Sequence, residues 1–354
     1  MDFLVNRTDL HEFKVVDRAP SELEPGQALF EIESFGLTSN NITYGVFGEA
    51  MHYWRFFPAE GGWGRIPVWG FARVAETAND ELPEGTRVYG YLPPSSRVVI
   101  QPDRFDRRGF VDASPHRANL PSAYQGYRAV DSDPVYDPER EDEQILFWPL
   151  FFTSWLIDDF LADEDFLGAE TIVIGSASSK TALSAAFLLA QRDGIEVIGL
   201  TSPGNVDFVE KTGVYSPVIT YEEVGSLPRS KAVYVDMSGN ADVRRAVHER
   251  YGDDLAYSCA VGMTHYEEMA GGSDLPGPKP AFFFAPVRIK KRGADWGAAN
   301  LDHRVVEAWH PFVEWTGAWL EVIHGSGPEA LQKAYLEVLD GKVDPAAGHV
   351  LSPA

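Results

Sequence analysis

The chain has 354 residues, 44% hydrophobic and 23% charged, with a formal net charge of −23. That length suffices for two domains with real cores, and the charge excludes general affinity for nucleic acid or anionic lipid surfaces. No run of about 18 apolar residues stands out, so no membrane span is expected, and a single cysteine, Cys259, excludes a disulfide framework or a cysteine-rich metal site.

The N-terminal stretch "MDFLVNRTDLHEFKVV" reads as a first strand and lacks the basic, apolar and small-residue order of a signal peptide; a cytoplasmic location is expected. "QALFEIESFGLTS" alternates apolar and polar residues up to Gly36, and "IPVWGFARVAET" and "EGTRVYGYLPPSSRVVIQP" add strands broken by Gly and Pro. Short strands with such punctuation predict a barrel-like domain. Between Asp103 and Glu143 the pattern weakens, and "DSDPVYDPEREDE" reads as a charged surface loop. From Ile145 the character changes. "ILFWPLFFTSWLIDDFL" predicts a buried helix, and strands such as "TIVIGS", "EVIGLTS", "PVITY", "AVYVDMSG", "LAYSCAVG" and "AFFFAPV" then alternate with helices such as "SKTALSAAFLLAQR" and "ADVRRAVHERYG". Strand and helix in alternation predict a doubly wound parallel sheet. The tail, "VVEAWHPFVEWTGAWLEVI" and "GPEALQKAYLEVLDGKV", is helical, and "GHVLSPA" predicts a last strand returning to the first domain.

The turn after "TIVIG" bears on chemistry. Gly175 is followed by Ser176, Ala177, Ser178, Ser179, Lys180 and Thr181, so the later glycines of a dinucleotide fingerprint are replaced. The hydroxyls can cap the helix and donate to a phosphate, and Lys180 adds positive charge where a phosphate would sit. The competing reading is a serine-capped helix with no ligand. At the end of the next strand, "GLTSPGN" offers Thr201, Ser202 and Asn205 and no acid for a ribose 2′-hydroxyl. That favours NADP(H) over NAD(H).

The order of elements resembles the medium-chain dehydrogenase/reductases, near their zinc-independent quinone and enoyl reductase branch. The likeness is carried by "FEIESFGLTSNNITY", "IPVWGFARVAET" with "EGTRVYGYLP", "FWPLFFTSWLIDDF", "GAETIVIGSASSKTALSAAFLLAQ", "VIGLTSPGNVDFVEKTGVYSPVITYEEV" and "EVLDGKVDPAAGHVL". It implies a GroES-like β-barrel domain (residues 1–144 and 287–354) plus a Rossmann domain (residues 145–286). It also implies that Ser202 and Tyr221 hold a 2′-phosphate, with Asn205 near a position the family fills with Lys. Thr153 matches a threonine near the nicotinamide, and Val261, Gly262, Met263 and the residues from Phe283 to Ala285 belong to loops closing over the ring. A homodimer is expected from the same likeness.

Catalytic zinc is not expected: Cys259 stands alone in a strand, and His303 and His310 are wrongly spaced for a helical ligand pair. "GSASS" is not a hydrolase elbow. Hydride transfer without zinc needs a polarised acceptor and a proton donor. The candidates are Asn41 and Tyr44 in the loop "GLTSNNITYGVFG", and His265 after a strand end. Asn capping and Tyr packing are the bland alternatives. "RIKKRGADWG" reads as a solvated loop or as an anchor for an anionic substrate through Lys291 or Arg292. Many aromatics, "MHYWRFF" among them, favour a hydrophobic acceptor, and the resemblance implies a small carbonyl substrate of enone, quinone or enoyl type. A ketone reductase, a cofactor-assisted lyase and a nucleotide-binding protein without turnover are the alternatives.

Overall fold

The computed structural model describes residues 1–17, 22–261 and 274–353. They form two units: Met1–Leu146 with Leu320–Ala354, and Phe147–Trp319.

In the first unit the strands are β1 (Asp2–Asn6), β2 (Phe13–Val16), β3 (Ala28–Leu37), β4 (Trp63–Gly64), β5 (Val68–Thr77), β6 (Arg87–Leu92), β7 (Arg97–Ile100), β8 (Pro102–Asp106), β9 (Gly109–Asp112) and β10 (Gly126–Ala129). Helix α1 (Ser39–Val46) follows β3. β1 pairs antiparallel with β2 and β4. β3 is the hub of the larger sheet, pairing with both β5 and β7. Its alternation does the expected work: Phe30 and Ile32 are buried, while Glu31 is exposed and accepts a hydrogen bond from its cross-strand partner Arg97 at 2.6 Å. Gly70 of β5 is required by close approach, since a Cβ there would lie 2.0 Å from the Ser34 carbonyl oxygen. The segment expected to be a loop is more ordered than its composition suggests. β8 to β10 form an antiparallel run, and in "DSDPVYDPEREDE" Asp133 is buried, taking hydrogen bonds from Arg128 and Gln144.

Helix α2 (Glu141–Asp163) follows. Contrary to the expectation from sequence, it is long and apolar enough to cross a membrane, with a mean hydropathy of 1.4, but 72% of that window is buried. The second unit then contains β11 (Thr171–Gly175), α3 (Lys180–Leu189), β12 (Glu196–Thr201), α4 (Val206–Thr212), β13 (Val218–Thr220), β14 (Ala232–Asp236), α5 (Ala241–Tyr251), β15 (Leu255–Ala260), β16 (Ala281–Phe282), α6 (Ala285–Trp296) and α7 (Ala298–Thr316). All pairings in the sheet are parallel, in the order β13-β12-β11-β14-β15-β16. That is the doubly wound arrangement, with a switch point between β11 and β14 where ligands bind. Val173, Ile198, Leu200, Tyr234 and Val247 form its core.

The chain's later part corrects two expectations. "AFFFAPV" is a strand only at Ala281–Phe282, after which α6 begins. Residues 287–319 belong to the second unit and not to the barrel. The reason lies in the stripe Leu301, Val305, Trp309, Phe312 and Val313 on α7, buried at helical spacing. Phe312 meets Phe147, Phe151 and Phe187 at ring-centroid distances of 5.4, 4.7 and 5.5 Å. The C-terminal β17 (Glu321–Ser326), α8 (Gly327–Leu339) and β18 (Ala347–Ser352) return to the first unit, where β18 pairs antiparallel with β3.

Candidate active site

In the second unit, β11 ends at Gly175, where a Cβ would lie 2.8 Å from the Tyr234 hydroxyl. Ser176 follows with φ +54°, the left-handed conformation that usually selects glycine. The Ala177 amide donates to the Leu200 carbonyl at 2.9 Å. Its own carbonyl accepts from Tyr215 Oη at 3.0 Å. Ser179 caps α3, its Oγ accepting from the Ala182 amide at 3.3 Å. Asn205 Nδ2 donates to Ser178 Oγ at 3.0 Å. Ser176 donates through its amide and hydroxyl to Tyr221; burial pushes the Tyr221 phenol up, and these two bonds pull it the other way. The Lys180 ammonium lies 5.8 Å from the centre of the Phe147 ring.

Gly175, Ser176, Ser178, Ser179, Lys180, Thr181, Ser202, Asn205 and Tyr221 thus gather at the carboxyl ends of β11, β12 and β13 or in the helical turns that follow them. β12 ends in Thr201, whose buried Oγ1 has no hydrogen-bond partner among the described residues. The first carboxylate after that strand end is Asp207, inside α4. Val261 and Phe283 stand at the same edge, their amides bonded to Asp236 and Ala260 carbonyls at 2.9 Å each. Gly262, Met263 and His265 lie outside the described residues. Thr153 Oγ1 bonds back to the Pro149 carbonyl at 3.0 Å, the local helix bond that a threonine there can always make. Sequence reasoning missed Tyr215, which precedes β13, and Tyr234 of β14, both of which pack against the turn.

In the first unit the segment read as a loop is a short helix, and this changes the roles of its two asparagines. Asn41 is the third residue of α1 and is 4% exposed. Its Oδ1 accepts from the Thr38 amide and hydroxyl at 2.8 and 3.1 Å, and its Nδ2 donates to the Pro67 carbonyl at 2.9 Å. It is a capping residue. Asn40, one turn before Tyr44, donates to the Tyr44 hydroxyl oxygen at 2.9 Å, and Trp69 Nε1 does so at 3.4 Å. The Tyr44 ring lies 4.6 Å from Tyr53, 5.6 Å from Tyr91 and 6.1 Å from Tyr124. The Tyr53 and Tyr124 hydroxyls are 3.4 Å apart. Burial raises the Tyr44 phenol well above its usual range, outweighing the hydrogen bonds from Trp69, Asn40 and Tyr124. Tyr53 and Tyr124 are raised by burial too. This basin of neutral phenols can donate protons and hydrogen bonds. The spacing of Asn40 and Tyr44 was the available signal; it speaks only once the segment is known to be helical. Nothing in the weak pattern around Tyr124 announces it.

"RIKKRGADWG" is not a solvated loop. It lies in α6, where Arg288 and Arg292 are buried on Asp159 at 2.5 and 2.8 Å, and Lys291 pairs with Asp163 and Asp295. Cys259 is buried in β15, and burial pushes its thiol up to about 12.

Residues 35–344 match the model of a family described as "Protein of unknown function (DUF2855)". No curated protein matches the sequence. Among solved structures, CurA from Vibrio vulnificus in complex with NADPH is 14% identical, covering 100% of this chain and 99% of its own at a TM-score of 0.60. The quinone oxidoreductase from Coxiella burnetii is 14% identical over 99% and 98% of the two chains, at a TM-score of 0.56. YhdH of E. coli K-12 with bound NADPH is 13% identical over 100% of both chains, at 0.54. At such identities the likeness shows the fold alone, a strand-rich unit joined to a parallel-sheet unit.

Proposed function

The chain belongs to the DUF2855 family, and we propose that it is an NADP(H)-dependent, zinc-independent reductase of a hydrophobic enone, quinone or enoyl-type acceptor. The observation that carries this reading is the hydroxyl- and amide-lined turn at the switch point, with no carboxylate at the end of β12. The fit is to a phosphorylated nucleotide. The half-buried hydroxyls of Ser176, Ser178 and Ser202 and the start of α3 offer donors to phosphate. Thr201 Oγ1 is a buried polar atom without a partner among the described residues. The neighbours solved with NADPH support the same cofactor. Zinc independence rests on the donor set, since the one cysteine of the chain is a buried strand residue.

When bound, NADPH supplies the hydride. The chain's contribution is proton delivery and acceptor binding. Asn40 and Trp69 both donate into the Tyr44 oxygen, so its lone pairs are occupied and its own hydrogen is left to be donated. Burial keeps that phenol neutral, the form that can donate a proton to an acceptor. Tyr53 and Tyr124 form the apolar and hydroxyl-bearing walls that receive a hydrophobic acceptor. The reading extends to a homodimer, supported by the edge strand β16 with Phe282, Phe284 and Val287 exposed beside it; light scattering showing a monomer would remove that part.

The test is a titration of the protein with NADPH and NADH, read by fluorescence and thermal shift, because a ligand of the native state raises its apparent stability. NADPH binding much tighter than NADH supports the reading, and NADPH consumption with a saturated product then identifies the acceptor. If neither nucleotide binds in either redox state, the turn is only a capped helix and the reductase reading falls.

A further inference from the structure

The Tyr44 oxygen is met by three hydrogen-bonding groups: Asn40 Nδ2 at 2.9 Å, Trp69 Nε1 at 3.4 Å and the Tyr124 hydroxyl. A phenol oxygen keeps two lone pairs while it holds its hydrogen and has a third once that proton has gone, so the set suits the deprotonated group. Only one of the three can also give its proton away. Amide and indole N–H groups stay intact in water, whereas a phenol ionises at a pH of about 10.

Tyr124 in turn meets Tyr53, their hydroxyl oxygens 3.4 Å apart and their rings nearly perpendicular at 5.8 Å. The phenols thus form a row from Tyr44 through Tyr124 to Tyr53. It runs from a buried end to a wetter one. Tyr44 is 5% exposed, whereas Tyr53 is half-buried and Met51, His52 and Arg55 around it are exposed. Ring contacts fix the row: Tyr53 lies 4.6 Å from Tyr44, and Tyr124 packs on Phe56 at 5.6 Å and on Tyr91 at 4.9 Å. The rings are held while the hydroxyl hydrogens are free to rotate. A group that delivers a proton at each turnover must be reloaded before the next, and a phenol as buried as Tyr44 meets little water.

We propose that Tyr124 and Tyr53 are a proton relay that reloads Tyr44 from solvent, an inference that rests on Tyr44 being the proton donor. The acceptor that has received the hydride takes the Tyr44 proton, and the Tyr44 O–H bond breaks. Tyr124 passes its proton to the Tyr44 oxygen and takes the proton of Tyr53, which is replaced from solvent. One proton enters for each one delivered, and all three phenols end as they began. The two electrons travel with the hydride, and none passes along the row.

The test uses the whole protein with phenylalanine at either relay position. Tyr124→Phe and Tyr53→Phe keep the packed rings and lose only the hydroxyls. Exchange of the Tyr44 hydroxyl with deuterated water is followed, without nucleotide, by NMR of isotope-labelled tyrosine, through the shift of Cζ when the hydroxyl takes deuterium. In both variants it should slow about tenfold or more, because Tyr44 is then reached only through opening of the unit. With NADPH and either cyclohexenone or menadione as acceptor, kcat should fall about tenfold or more in both variants. The first turnover, measured with protein in excess of acceptor, should stay within about twofold of wild type, since Tyr44 begins it already protonated. Unchanged exchange in either variant, or a first turnover that falls as far as kcat does, would each overturn the relay. A wild-type protein that oxidises no NADPH with either acceptor removes the reductase reading instead, and the exchange measurement then still decides the relay.

Discussion

Ser176 offers a sharp test of how the cofactor turn is built. Its φ of +54° places a residue with a Cβ where glycine is at ease, at a strain of roughly 1–2 kcal/mol. Ser176→Ala keeps that strain and loses the hydroxyl bond to Tyr221, a cost of about 0.5–1.5 kcal/mol. Ser176→Gly loses the same bond but relieves the strain, at an unfolded-state entropy cost of about 0.4–1 kcal/mol. The glycine variant should therefore be more stable than the alanine variant by roughly 1 kcal/mol, a difference of about 2–4 °C in melting temperature for a unit of this size. At an ordinary turn residue with negative φ the order reverses, because glycine only adds unfolded-state entropy. Thermal unfolding followed by circular dichroism decides it. If Ser176→Ala is as stable as Ser176→Gly or more so, the left-handed backbone is not what the turn uses, and the account of its geometry is wrong.

Ser202→Asp places a carboxylate beside the end of β12, and should weaken NADPH at least about tenfold while sparing NADH, since an acid there repels a 2′-phosphate and accepts from a 2′-hydroxyl; titration with both nucleotides reads the change. Tyr44→Phe should lower kcat by about 10²–10⁴ if the phenol is the proton donor, with an unchanged circular dichroism spectrum; a variant of near-normal rate removes Tyr44 from that role. Asp159→Ala removes the carboxylate that Arg288 and Arg292 share, leaving them Asp163 and, for Arg292, Asp295, and should cost about 1–3 kcal/mol, visible in the urea midpoint. Burial pushes Tyr127 up to about 12 and holds Tyr44, Tyr91 and Tyr124 above their usual range. In the unfolded chain these phenols ionise near pH 10, so above pH 10 the folded state holds more protons. Stability should be indifferent to them below pH 10 and fall above it, by up to about 1.4 kcal/mol per pH unit for each phenol; a urea midpoint unchanged between pH 9 and pH 11 would contradict this.

The parallel sheet was legible in the sequence because buried strands read as short apolar runs, as Thr171–Gly175 and Ala232–Asp236 do. The end of that unit was not, because Trp309 and Phe312 lie on a helix whose stripe says only that it is buried, not against what. The same limit hid half of the tyrosine basin. Tyr44 was visible beside its asparagines, but Tyr124 enters from a stretch where charge and proline mask short strands. Asn41 was chosen over Asn40 because, without the helix, spacing does not tell a cap from a side chain facing one turn onward.

The glycine-poor turn yields to the same reasoning once its neighbours are in view. A dinucleotide fingerprint asks its glycines for a tight turn, a close approach and close helix–strand packing. Gly175 keeps the approach, beneath the Tyr234 hydroxyl. Ser176 makes the left-handed turn and adds a hydroxyl. The packing requirement has moved to the adjacent strand: Gly199 of β12 lacks the Cβ that would lie 3.0 Å from Ala177 Cβ and 2.9 Å from the Tyr215 ring. Ala177 fits because its partner is glycine, and Tyr215 then reaches across to bond the Ala177 carbonyl. A one-segment motif cannot register a small residue exchanged between neighbouring strands. It follows that Gly199→Ala should disturb the turn more than Ser176→Gly does, because Tyr215 and Ala177 must both give way, and the loss should appear in NADPH affinity as well as in melting temperature. Unchanged nucleotide binding in Gly199→Ala would show that the turn does not depend on its neighbour strand.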